Sequence, residues 1–337
     1  MVPVTRRERD PVTGLEVLYV TDWDEPSRKT YYTNESWRQD DRAVFFLSER
    51  GAAENSPAQV WMGVDGEFVQ VTKGNGWDAA SFGIDRARDL GYAARGRAIW
   101  RIDLRTAAAE PFAELPFDGR PTGHLTCSRS GWIVGGYRLR RGYYVLAVTE
   151  LDGTSRILMR SDTPLGHVQA CPGDDKTIFY VHETGGDAVQ RTWLYDMELD
   201  AFRPYYVESE DEWITHETWD TAGDSIYFIQ HPVAILRGDR EGKRFETVID
   251  GDYHHCAPSP TGRWIVADRT WTGEILLIDT ESRKARTIAT GHRAARGEDH
   301  CHPSFNRRGD QVLFTAPCNG APQIALIDLN QIDGFIP

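Results

Sequence analysis

The sequence predicts an all-β fold, a seven-bladed β-propeller closed by its own N-terminal strand. Three observations carry this. Short stretches alternate apolar with polar residues, aromatics and glycine are abundant (11 Trp, 13 Tyr, 13 Phe, 31 Gly), and no long stretch keeps the 3.6-residue period of an amphipathic helix. A turn followed by a strand recurs down the chain at roughly 45 residues, the length of a four-stranded propeller blade. The last copy runs out of chain near Leu329, while an unassigned strand stands ahead of the first copy.

The repeats run in order. Their turn-strand units are Asp40-Asp41-Arg42-Ala43-Val44-Phe45-Phe46, a weaker copy at Asp89-Leu90-Gly91-Tyr92, and Gly131-Trp132-Ile133-Val134. They continue with units opening at Asp174, Gly223, Gly262 and Gly309. Most are followed by a strand that ends on an acidic residue, such as Ile99-Trp100-Arg101-Ile102-Asp103 or Ile324-Ala325-Leu326-Ile327-Asp328. Residues 15–21 alternate like a strand and supply the outer strand that the seventh copy lacks, which removes an open edge. Residues 1–337 then read as one domain; a pair of β-sandwiches or a six-bladed ring with one decorated blade are the alternatives.

Composition bounds the function. With 51 Asp and Glu against 38 Lys and Arg, the net charge is −13, which disfavours a general binder of nucleic acid or of anionic membranes. No apolar run reaches the length of a membrane helix. Residues 1–14 are polar and Arg-rich, without the apolar segment of a secretory signal. Five cysteines, an odd number spread over a long chain, do not suggest a disulfide framework. The expectation is a cytoplasmic protein, a monomer or weak homo-oligomer.

Aligning the repeats on their turns exposes a register of histidines. His124, His167, His216, His255 and His302 each stand seven residues before Gly131, Asp174, Gly223, Gly262 and Gly309. Five of the ten histidines thus share one structural position, near the start of the innermost strand at a mouth of the central channel. His300 lies two residues before His302 and on the same face of a strand; His254, beside His255, is expected to point the other way. Repeated histidines also staple blades in forty-residue repeats, and His124 and His167, both following glycine, fit that role equally well. For His255, His300 and His302 a metal is the better reading. Three imidazoles suit zinc, manganese, iron or copper and leave positions open for substrate. Cys256 and Cys301 alternate to the opposite face and read as small core residues.

The loops expected at the same mouth carry Arg191, then Arg138, Arg140 and Arg141, then His231 and Arg237. Guanidinium pairs bidentately with carboxylate, so this face of an acidic protein suits a small carboxylated ligand. A solvated loop is the other reading of residues 138–141.

These motifs resemble the oligogalacturonate lyases, seven-bladed propeller enzymes of cytoplasmic pectin breakdown. His300-Cys301-His302-Pro303-Ser304-Phe305, followed by Gln311-Val312-Leu313-Phe314-Thr315, is similar to the family's metal motif and its next strand. The resemblance implies that His255 is the third metal histidine. It also makes His216, in Thr215-His216-Glu217-Thr218-Trp219, the catalytic base and Arg191 the substrate-side arginine. From the register and the loops alone, His167 is a second base candidate or a substrate contact, and His124 and Arg140 are further substrate contacts. The implied cofactor is a divalent ion, manganese foremost with zinc or calcium as alternatives. Gly297 stands where the family has a glutamine ligand, which leaves that position to Glu298, Asp299 or a water. The implied activity is β-elimination of a short acidic oligosaccharide. A metal-dependent hydrolase or lactonase and a non-catalytic binding propeller are the alternatives.

Overall fold

A computed structural model describes residues 1–140, 142–184, 189–293, 299–318 and 320–337. Arg141, Gly297 and Glu298, singled out above, lie outside the described residues. The strands form seven sheets, the expected number of blades. Blade one opens with Ser27–Lys29, blade two with Trp77–Asp85, and blade three with Gly119–Pro121 and Thr126–Cys127. Blade four opens with Leu165–Ala170, blade five with Ile214–Trp219, blade six with His255–Pro258 and blade seven with Ser304–Phe305. These are the inner strands, each followed by antiparallel partners toward the rim.

Burial on both faces explains where the core lies. In a strand such as Ser225–Gln230 or Trp264–Arg269 the residues between the ends are all buried, because each face of a blade packs on a neighbouring blade. The buried apolar side chains fall into seven clusters, and each joins two adjacent blades. Val20, Leu313, Ile324 and Leu326 of blade seven pack with Trp37, Val44 and Phe46 of blade one, which closes the ring. The inner strands approach closely. A Cβ on Gly83 of blade two would stand 1.7 Å from the Leu125 carbonyl oxygen of blade three, so only glycine fits there.

The expected N-terminal closure is present. Glu16–Tyr19 pairs antiparallel with Ala321–Asp328, placing Val17 opposite Ile327 and Tyr19 opposite Ala325. Val17 and Tyr19 are buried in the process. One element was not foreseen. Arg6–Arg9, read above as polar lead-in, forms a fifth strand on the rim of this blade. Its residues are partly or fully exposed, so it carries no apolar alternation by which to be recognised. The Asp10 carboxylate then accepts from the Thr290 backbone and hydroxyl of blade six. Among the described residues no helix is long and apolar enough to cross a membrane.

Candidate metal centre and active site

The inner strands do not run straight through the histidine register. In blade four, Gly166 pairs with Val181 and Gln169 with Phe179, so His167 and Val168 together face one partner residue. Blade five repeats this bulge, with His216 and Glu217 between Thr215 and Thr218. His167, His216 and His302 all take positive φ, at 45°, 56° and 47°. Few non-glycine residues do so, and histidine is among those that tolerate it. A bulge re-aims a side chain that regular pleating would send into the blade interface; here it sends the imidazole toward the channel. Such strained backbone gathers at functional sites.

The rings converge. The ring centroids of His255 and His302 are 4.5 Å apart, of His255 and His300 5.3 Å, and of His300 and His302 5.7 Å. One nitrogen of each lies within 4.8 Å of those of the other two. Asp268 sets the orientation of His255. One carboxylate oxygen, Oδ1, accepts from the His255 backbone N–H at 2.8 Å and lies 3.0 Å from its Nδ1. That leaves His255 Nε2 buried with no partner. A carboxylate behind a histidine that presents its other nitrogen is the usual outer support of a metal ligand. Burial, reinforced by the neighbouring rings, lowers the basicity of His255 and His302 far below the ordinary imidazole range, and burial lowers that of His300. All three therefore offer lone pairs, so the residues present fit a divalent ion.

His254 departs from the expectation. It sits at a bend just before the strand of blade six, where strand alternation does not apply. Its Nδ1 is 2.7 Å from Thr270 Oγ1, and its ring is 4.6 Å from that of His216 and 4.7 Å from that of His300. His216, His254 and His255 form a second set of nitrogens within 4.8 Å of one another. Asp299, a candidate for the ligand that glycine at 297 cannot supply, is instead held by Arg28 Nε at 2.6 Å. Cys256 and Cys301 belong to the apolar clusters of blades five to seven, and burial pushes both thiols up.

His216 lies beside the three-histidine set. Its ring is 4.3 Å from that of His255 and 6.3 Å from that of His167. Its Nδ1 is buried without a partner. Burial and the neighbouring rings of His255, His254 and His167 hold it well below the usual imidazole range.

Arg191 does not present a free guanidinium. Its side chain is 3% exposed; Nε donates to Glu217 at 2.8 Å, and both terminal nitrogens donate to Glu183 at 3.2 Å. The reason is Glu217, the second residue of the blade-five bulge, which crosses to blade four. Its other oxygen is 2.8 Å from His167 Nδ1. Burial alone would raise the Glu217 carboxyl, but Arg191 and His167 hold it well below the usual range.

His124 is buried, with Nε2 3.2 Å from Thr33 Oγ1, and it lines a cavity of about 400 Å³ together with His167, Glu183 and Tyr31. Arg140 is not brought to the histidines: it is exposed and paired with Asp118 at 2.7 Å in a neighbouring groove. Arg237 belongs to the strand Ala234–Asp239 and pairs with Glu246.

Sequence reasoning missed the contribution of blade one. Tyr31 Oη is 3.3 Å from His167 Nε2, and the Tyr31 ring is 4.8 Å from that of His302. Tyr32 is 5.1 Å from His255. Counting seven back from Asp40 reaches Thr33, beside these tyrosines but not on them, so the register passes them by. Lys29, buried on the preceding strand, was also missed; burial pushes its amine down to about 7.

No protein-family model matches the chain. Over 383 aligned positions it is 22% identical to the oligogalacturonide lyase of Pectobacterium atrosepticum, covering 96% of both chains. It is also 22% identical to the oligogalacturonate lyase of Dickeya dadantii, over 94% of each. The resemblance to the oligogalacturonate lyases holds along the whole chain. In three dimensions it superposes on an oligogalacturonate lyase in complex with manganese, with a TM-score of 0.86 at 20% identity over 97% of both chains. An oligogalacturonate lyase from Vibrio parahaemolyticus gives the same TM-score at 19% identity. The seven-bladed propeller is therefore the fold of this chain and of its oligogalacturonate lyase neighbours alike.

Proposed function

We propose that this protein is a divalent-metal-dependent lyase that cleaves short oligouronides of the galacturonate type by β-elimination, in a reducing, cytoplasmic setting. One observation carries the reading. Three imidazoles of depressed basicity converge within 4.8 Å, and a fourth, His216, stands beside them with a buried, unpartnered nitrogen. Histidines that only stapled blades would spend these nitrogens on neighbouring turns. The full-length likeness to oligogalacturonate lyases, one of them described with manganese, supports both the reaction class and manganese as the ion. The free thiols of Cys127, Cys171, Cys256 and Cys301 support the compartment.

Elimination takes the proton from C5, next to the uronate carboxylate. The C–H electrons become the C4–C5 double bond, and the glycosidic oxygen leaves C4 and is protonated. The C5 proton is weakly acidic because the carboxylate is already negative. His255, His300 and His302 would hold the ion, whose charge, when bound, offsets the negative charge that builds on the carboxylate. His216 takes the C5 proton, and its neutral form is the one that can. Arg191 acts on two levels. Its buried bond to Glu217 holds His167 in place, while the 42%-exposed Glu183 occupies the position on the guanidinium that a substrate carboxylate would take by displacing it. Tyr31 and His124 shape the adjoining cavity.

The test is to load purified protein with manganese, supply digalacturonate, and follow the ultraviolet absorbance of the conjugated alkene. New reducing ends without that absorbance would replace the lyase by a hydrolase. Neither product from any short uronide would leave a binding propeller.

A further inference from the structure

A second groove, of about 960 Å³, lies between blades one, two and three. Arg97, Arg120, Arg138 and Arg140 line it, against Asp78 and Asp118. Four cations and two anions give a local balance of +2 on a protein whose net charge is −13. Arg140 is spent on Asp118, and Arg97 lies 3.7 Å from Glu114 outside the groove. Arg120 and Arg138 differ. They are direct partners across the antiparallel pair of Gly119–Pro121 with Ile133–Leu139, so their side chains leave the same face with Cβ atoms about 5 Å apart. Like charges placed so are destabilising. Among the described residues, neither guanidinium makes a hydrogen bond or an ion pair at contact distance, and only Asp78 acts on Arg120 through its charge. Asp78 is the nearest opposing charge to Arg120: burial pushes its carboxyl up, while the Arg120 guanidinium pulls it back down.

The groove leads to the histidines. Two residues on from Arg120, just past its strand, is Thr122, and two along the partner strand from Arg138 is Gly136, whose carbonyl accepts from the Thr122 N–H at 2.9 Å. Both line the 400 Å³ cavity that holds His124, His167, Tyr31 and Glu183. Two residues of strand span about 7 Å and return to the same face. Ala80 lines both spaces.

We propose that this groove is a binding site for the additional uronate residues of a longer chain, with Arg120 and Arg138 receiving the carboxylates of sugars beyond the cleaved pair. A polymer with one carboxylate per sugar supplies the repeated negative charge that two adjacent, unpaired guanidiniums require, and arginine pairs with carboxylate in a planar fork. The identity of the sugar rests on the lyase reading above; the requirement for an anionic chain rests on the arginines alone.

The experiment titrates wild type and the double variant R120Q/R138Q with saturated di- and tetragalacturonate by calorimetry. Chelator is present to prevent turnover. A parallel set of manganese-loaded samples is assayed for alkene formation. Wild type should bind the tetramer about tenfold more tightly than the dimer, with an advantage that shrinks as salt rises. The double variant, checked for an unchanged unfolding temperature, should lose that advantage. Equal affinity for both lengths in wild type overturns the proposal, as does an advantage that survives the double substitution. Alkene formation without any length preference defeats the groove and keeps the lyase. Arginine-dependent tetramer binding with no alkene keeps the groove and defeats the lyase.

Discussion

Asp268 grips His255 twice through one oxygen, at the backbone N–H and at Nδ1. Both residues are fully buried, and burial pushes the Asp268 carboxyl up to about 6. The grip fixes which His255 nitrogen faces the other imidazoles. Asp268→Asn keeps the shape but replaces Oδ2, 3.1 Å from Nδ1, by an N–H donor facing the Nδ1–H, and it removes the negative charge behind the imidazole. Metal affinity should fall by about 10- to 100-fold, the usual worth of such a support, as read by metal content after dialysis against graded chelator. Unaltered affinity would remove Asp268 from the site.

His216→Ala should lower kcat by roughly 10² to 10⁴, the contribution of a positioned base, and leave manganese bound at one ion per chain. His302→Ala should empty the site and with it abolish the metal-dependent activity. Loss of metal in the His216 variant would instead make His216 a ligand, in the set it forms with His254 and His255.

Glu208 gives a pH signature away from the ion. Its Oε1 is buried without a partner, and burial pushes the carboxyl from 4.5 up to about 7. Between those values the folded chain keeps a proton that the unfolded chain has released. Stability should therefore fall as pH rises through this window, by linkage. Glu208→Gln should raise the unfolding temperature by a few degrees at pH 8 and leave it unchanged at pH 4. A constant difference between parent and variant at every pH would contradict the assignment.

Deleting residues 1–22 should remove the outer strands of blade seven and expose the Ala321–Asp328 edge. Open edges recruit other chains, so light scattering at a fixed temperature should show rapid association of the truncated protein. A monomeric truncation with the parental unfolding temperature would show that the ring closes without this strand.

Much of the molecule was legible because it follows from local rules. Period-two alternation announced the strands, the roughly 45-residue spacing announced the blades, and a common offset from each turn picked out His167, His216, His255 and His302. The register worked because a propeller repeats one backbone path, so equal offsets reach equal places. Residues with no such offset were illegible. Tyr31 meets His167 and His302 only because the ring sets blade one beside blade seven and across the channel from blade four. Glu217 meets Arg191 and His167 because it crosses from blade five to blade four.

The sequence by itself determined the class of fold, its closure by the N-terminal strand and the histidine register, since these depend on pleating and on repeat length. Tertiary structure alone decided where the side chains aim. The bulges at His167 and His216 and the bend at His254 override alternation, and their positive φ or irregular backbone has no counterpart in the pattern of apolar and polar residues. It likewise decided that Arg191 faces two carboxylates while Arg120 and Arg138 face each other. Which charges meet is set by how whole blades pack, over separations in sequence that no local rule spans.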